Sequence, residues 1–382
     1  MLTRLFFLTT LLWVHDAVCQ HSQTPAPTAH RTIQVRFHKN VELLGFAYFL
    51  SYEGRDLEND EGFIKSKPIR KKEWYGYGFS LYQRYKSYQN NQHLVTAMRL
   101  AEHLWLDYLI NLLLQLDEFP RARLLDRVQE SHYLRFSTRK DPAEARKNTE
   151  QFLEAMNRFC EEVNFDDYMT TNQRKYDNAL AQVRTGLPDN RFIPALEAFY
   201  EQHFQDYTLM PSLTIPTGMG FGPRYTLDGK THIFTVFGPF NVQHFSDETK
   251  LDMGFGDLQH LKELSTHEFG HSFVNHIVNE APAGLIRETE KLFTPIKEKM
   301  TSQGYPTWNV CLIEHFVRAG EIVIAQNLGN RVAAEHLKDH YINTRKFIYL
   351  PVILRELESY NENRSVSYAQ AVEKAMRQLK TE

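Results

Sequence analysis

His267-Glu268-Phe269-Gly270-His271 is the stretch that decides how this chain reads. Histidines four residues apart share one face of an α-helix, so both imidazoles can reach the same metal ion. The glutamate beside the first of them sits close enough to act on a water held there. Zinc suits nitrogen ligands, and a catalytic zinc keeps one position open for water. The motif therefore predicts a zinc site with hydrolase chemistry, with His267 and His271 as ligands and Glu268 as general base.

With 17 His in 382 residues, such a pattern arises by accident in roughly one chain in twenty, so its surroundings must decide. From Asp257 to Asn279 there is no proline, and Gly270 is the only glycine. Leu261, Leu264, Val274 and Val278 fall on the same stripe as the two histidines. That spacing predicts an inward-facing helix, ended by Pro282.

A catalytic zinc needs a third protein ligand. A metzincin-type site would place His at 277 and Gly at 274, but those residues are Ile277 and Val274. His276 is five residues past His271 and points to another face, so it reads as structural. A glutamate on a following helix, the gluzincin arrangement, is what remains. Glu290 lies in the charged run Arg287-Glu288-Thr289-Glu290-Lys291, and such runs are usually solvated. Glu314 lies in the apolar run Trp308-Asn309-Val310-Cys311-Leu312-Ile313-Glu314-His315-Phe316. A carboxylate buried there needs a cation, which is either a metal or Arg318 one turn on. Glu314 is the stronger of the two candidates.

Beyond the motif, the chain opens with a charged start, an apolar run from Leu5 to Val14 and small residues at Ala17 and Cys19. Residues 1–19 read as an export signal and 20–30 as a polar tether. A lipid anchor on Cys19 is the weaker alternative. The expected product is secreted or periplasmic, with no integral membrane span. The net charge of −3, with both signs mixed, gives no reason to expect a nucleic-acid partner. Cys160 and Cys311 could pair, but nothing requires it.

Residues 31–206 read as a mostly helical region, with helices over His93–Phe119, Pro120–Arg135, Pro142–Glu162, Phe165–Val183 and Pro194–Phe204. The aromatic-rich stretch Trp74–Tyr88 reads as core. Residues 207–382 read as the catalytic region. There Tyr225–Leu227, Asp228-Gly229 and His232–Phe237 predict a hairpin just ahead of the motif helix. A sheet edge in that place could pair with an extended peptide.

Four runs, Val41–Leu44, Gly238-Pro239-Phe240, His267–Asn275 and Glu314–Ala319, resemble the DUF4932 family. Its members are regarded as exported gluzincin-like metallopeptidases. The resemblance supports Glu314 as third ligand, and it departs from the family pattern at His276, where proline is expected. The fold class expected is α+β and predominantly helical, zincin-like, with a small sheet before the motif helix. The function expected is hydrolysis of a peptide or protein substrate by a zinc-activated water. A donor to the developing oxyanion is also expected, from Tyr360, His315 or Arg318, with Tyr360 preferred. Asn275 is expected to support His271 from behind. Two other readings stay open: a binding or scaffold protein with a vestigial zinc site, and a zinc hydrolase of non-peptide amides.

Overall fold

The computed structural model describes residues 32–65 and 67–380. The segments read as export signal and tether, 1–19 and 20–30, lie outside the described residues. Residues 32–380 pack as one compact body, predominantly helical with a small mixed sheet.

Helix α1 spans Lys39–Tyr48 and carries Glu42, a fully buried carboxylate. Tyr176 donates to its Oε2 at 2.9 Å and Thr214 at 3.2 Å, while Oε1 has no partner. Burial opposes ionisation of Glu42 and, against the hydrogen bonds from Ser212, Tyr176 and Thr214, pushes its pKa up to about 7.

The helix expected over His93–Phe119 is two helices, α2 (Gln92–Ala101) and α3 (Leu106–Leu113). Between them an elbow carries Leu104 and Trp105, and Trp105 is 78% exposed. The helix expected over Pro120–Arg135 does not form; turns and two short 3-10 segments take its place. The reason is tertiary: the Asn157 side chain accepts from Ala122 N at 3.0 Å and donates to Ala122 O at 2.8 Å. It satisfies the backbone groups that a helical ladder would otherwise use. Asn157 belongs to α4, Pro142–Glu162, which starts where expected, with Asp141 accepting from Glu144 N and Pro142 in the first turn.

The motif helix α5 runs Leu258–Glu280, capped by Asp257, whose side chain accepts from His260 N at 2.9 Å. Its middle is buried on nearly every side, not along one stripe, because the sheet and the next long helix cover it. That helix is α6, Trp308–Asn327, capped by Thr307. Gly320 on α6 allows the close packing here, since a Cβ there would lie 2.2 Å from the Tyr200 hydroxyl. Helix α7 (Arg331–Asp339) continues as a π-turn over His340–Thr344. Helices α8 (Leu350–Glu362, with Pro351 in its first turn) and α9 (Tyr368–Leu379) close the chain.

The sheet has the order β1 (Gln34–Val35), β2 (Asp206–Pro211), β5 (Lys230–Phe237) and β3 (Gly220–Phe221), with β4 (Arg224–Leu227) also on β5. β1, β2 and β5 are parallel; β3 and β4 run antiparallel to β5. The predicted hairpin is present, with Asp228 and Gly229 both at positive φ (50° and 74°), as its two-residue turn requires. Strands β3 and β4 keep one register on β5 and form two halves of a single edge strand. Between them lie Gly222 and Pro223, and Pro223 has no N–H to give. The aromatic-rich stretch is largely core, with Trp74, Tyr77 and Tyr82 buried. Cys160 and Cys311 are free, buried thiols.

Candidate metal centre

Helices α5 and α6 bring three side chains to one point. His267 Nε2 and His271 Nε2 are 3.2 Å apart. Glu314 Oε1 is 3.1 Å from His271 Nε2, and Glu314 Oε2 is 3.8 Å from His267 Nε2. Ligands about 2.0–2.1 Å from a tetrahedral ion lie about 3.3 Å from each other, so the separations suit one small cation. His267, His271 and Glu314 could therefore hold a metal ion. Glu290 is exposed on the surface, outside this group.

The atoms behind the ligands fix their orientation. His267 Nδ1 donates to Glu321 Oε1 at 2.7 Å, and His271 Nδ1 donates to Asn275 Oδ1 at 3.0 Å. Each bond commits the ring's other nitrogen, Nε2, to the shared point. Arg318 Nη1 donates to Glu321 Oε1 at 3.1 Å and to the Tyr341 hydroxyl at 3.3 Å. Tyr341 in turn donates to Glu321 Oε2.

Two observations favour a cation. Among the described residues Glu314 Oε2 has no hydrogen-bond partner, and Arg318 Nη2 stands 3.7 Å away, beyond hydrogen-bond reach, so a closer cation would stabilise the buried carboxylate. The charges fit one as well: with both histidines neutral, as metal ligation requires, Glu268, Glu314 and Glu321 beside the guanidinium of Arg318 would leave two negative charges for a divalent ion to balance. Burial works against the Glu314 charge, but His271, His267 and Arg318 outweigh it and hold the carboxyl well below the ordinary carboxylate range. Burial likewise opposes protonation of His271, yet Glu314 overrides it and lifts that pKa to about 9. A metal must displace that proton to bind, so uptake weakens as pH falls.

The centre opens on a cleft of about 1320 Å³. His267 and Glu268 line it, and His271 and Glu314 sit behind them. One wall is the elbow between α2 and α3, Glu102-His103-Leu104-Trp105, with Tyr48 and Tyr52 beside it. The facing wall carries Tyr305, Arg318, His336, His340, Tyr341 and Arg345. Edge strand β3 runs along the cleft against α5. A Cβ on Gly222 would come 2.6 Å from the Glu268 carbonyl oxygen and 3.1 Å from Glu268 Oε2, so only glycine lets the strand approach the carboxylate this closely.

Tyr360 is not part of this arrangement. It lies on α8 and is buried against Phe199, its hydroxyl donates to Phe199 O at 2.7 Å, and it does not line the cleft. Its position is set by an aromatic cluster with Phe199 and Tyr368. His315 is also elsewhere: it lies on the far face of α6, bonded to Cys311 O and packed on Phe347. Of the three expected donors only Arg318 is at the site. His276 binds Arg224, not the ligands, as its face predicted. Glu321, Tyr305, Tyr341 and Arg345 were not foreseen. Glu321 could have been, because it is seven residues from Glu314, two turns along the same face and again within an apolar run.

The chain belongs to the family described as a domain of unknown function, DUF4932, whose pattern matches residues 133–372. The match contains His267, Glu268, His271 and Glu314, and leaves Val41–Leu44 outside. No curated protein and no solved structure is matched by the chain.

Proposed function

We propose that this protein is a zinc-dependent peptide hydrolase of gluzincin type. The observation that carries the reading is the convergence of His267, His271 and Glu314 beneath a cleft whose floor also presents Glu268. Zinc in that set would supply a Lewis acid that acidifies a water and polarises a carbonyl. Glu268 takes the proton from the attacking water and delivers it to the leaving amine. Tyr305 faces the same space, and its oxygen already accepts from Arg345 Nη2 at 3.1 Å, so its own O–H is directed to donate elsewhere. It is the donor to the carbonyl oxygen as negative charge builds there. Glu321 holds the His267 ring, and Arg318 keeps Glu321 in place.

A long helix carrying the two candidate histidine ligands, beside a mixed sheet with its edge strand along the cleft, supports the zincin-like reading. Such an edge can hold an extended peptide through main-chain hydrogen bonds, which favours a peptide over other amides.

The test is metal content together with cleavage of a peptide library. Wild type should carry about one zinc per chain and cut peptides. Glu314→Ala should lose the zinc, and Glu268→Gln should keep the zinc but not cut. Well-folded wild type that takes up no zinc at neutral pH would sink the reading, as would Glu268→Gln retaining full activity.

A further inference from the structure

Arg345 is held unlike the other cations of the cleft. It follows the π-turn His340–Thr344, its N–H bonded to His340 O at 3.0 Å. Its Nε donates to Gln303 Oε1, and Gln303 Nε2 donates back to Arg345 O at 2.9 Å. Its Nη2 donates to the Tyr305 hydroxyl at 3.1 Å, and its guanidinium lies 5.8 Å from the Phe347 ring centre. All of these partners are neutral. Among the described residues no carboxylate reaches ion-pair distance of Arg345, whereas Arg318 beside it is paired with Glu321 and Glu314. Arg345 is thus fixed in position without being neutralised.

That matters because Arg345 is half-buried in a cleft wall. A guanidinium there has lost part of its hydration and gained no counter-charge, and its planar fork suits a carboxylate held by two parallel hydrogen bonds. The surrounding field agrees. Burial lowers the proton affinity of His340, and Arg345, His336 and Arg318 lower it further.

We propose that Arg345 recognises a carboxylate on the substrate, at the end of the cleft marked by Gln303 and Tyr305. The inference rests on the reading of this cleft as a peptide-hydrolysing site. The carboxylate has two possible sources, the C-terminus of a peptide or an aspartate or glutamate side chain. Tyr305 touches Arg345 and shares the cleft lining with His267 and Glu268, so the recognised carboxylate belongs to the same cleft as the bond to be cut.

Binding separates this inference from activity. Zinc-loaded Glu268→Gln protein is dialysed against acetylated short peptides in matched pools: free-acid against amidated C-termini, and Asp/Glu-containing against Asn/Gln-containing. One carboxylate-bearing pool should be retained about tenfold better than its neutral twin, the scale of one charge-assisted contact. Preference for the free-acid pool means terminal recognition, and preference for the Asp/Glu pool means side-chain recognition. Adding Arg345→Gln should erase the preference with zinc content and melting unchanged. Arg345→Lys should keep part of it, because the charge remains and the fork is lost. No preference in either pair, or one that survives both Arg345 variants, overturns the proposal. If wild type cuts nothing while the preference holds, the hydrolase reading fails and the carboxylate site stands.

Discussion

Replacing Glu42 by glutamine should stabilise this protein at high pH and not at low pH. The carboxyl is fully buried in α1 and receives hydrogen bonds from Tyr176, Thr214 and Ser212. Its pKa is about 7 in the fold against 4.5 for the free group. For an acid raised in this way, the folded state binds the proton more tightly than the unfolded chain. Stability is therefore unpenalised below about pH 4.5, falls as pH rises through the window to about 7, and stays reduced above it. A shift of this size costs about 3 kcal/mol at about pH 8. Glutamine removes that cost but rearranges one buried hydrogen bond, at about 1 kcal/mol independent of pH. The variant should then be about 1 kcal/mol less stable than wild type near pH 4.5 and about 2 kcal/mol more stable near pH 8. For roughly 350 ordered residues, that swing moves the Tm difference by about 4 °C. Thermal melts of both proteins across this pH range, with a chelator present so that metal loss does not contribute, measure it directly. A Tm difference that stays flat with pH would refute the reasoning. One that favours wild type more at alkaline pH would show that Glu42 is ionised and paired.

Three further outcomes follow from the centre. Glu321→Gln keeps the shape but removes the charge behind His267, and should weaken zinc binding about tenfold in competition with a chelator; unchanged affinity would show that this contact does not tune the ligand. Gly222→Ala forces β3 and Glu268 apart, and should cut kcat at least about tenfold with zinc retained; a full-rate variant would contradict the close approach. Tyr305→Phe should lower kcat about 100-fold with little change in KM, whereas a purely structural role would show as a lower Tm at unchanged kcat.

The parts of this site that lie on long regular elements were legible in the sequence. The motif helix, the helix bearing Glu314 and the Asp-Gly hairpin each carry local signals that tertiary packing reinforces. What the sequence hid depends on side chains from distant segments. Ala122 gives up a helical ladder because Asn157 meets it, which no window of neighbouring residues reveals. Tyr360 and Tyr305 look alike as tyrosines near helices. Only the packing of Phe199 and Tyr368 on one, and of Arg345 on the other, separates a core hydroxyl from one that faces the cleft. Arg345 sits in the break between two helices, where periodicity carries no information.

The elbow between α2 and α3 has a consequence for how this protein can change. It forms one wall of the cleft, yet it lies outside residues 133–372, which hold the ligands, Glu268 and the Arg345 wall. Part of the cleft lining and the candidate metal ligands are therefore written in separate stretches of the chain. A substitution at Leu104 or Trp105 can reshape the cleft without touching His267, His271 or Glu314, so the shape of the opening is free to drift while the candidate metal site stays fixed.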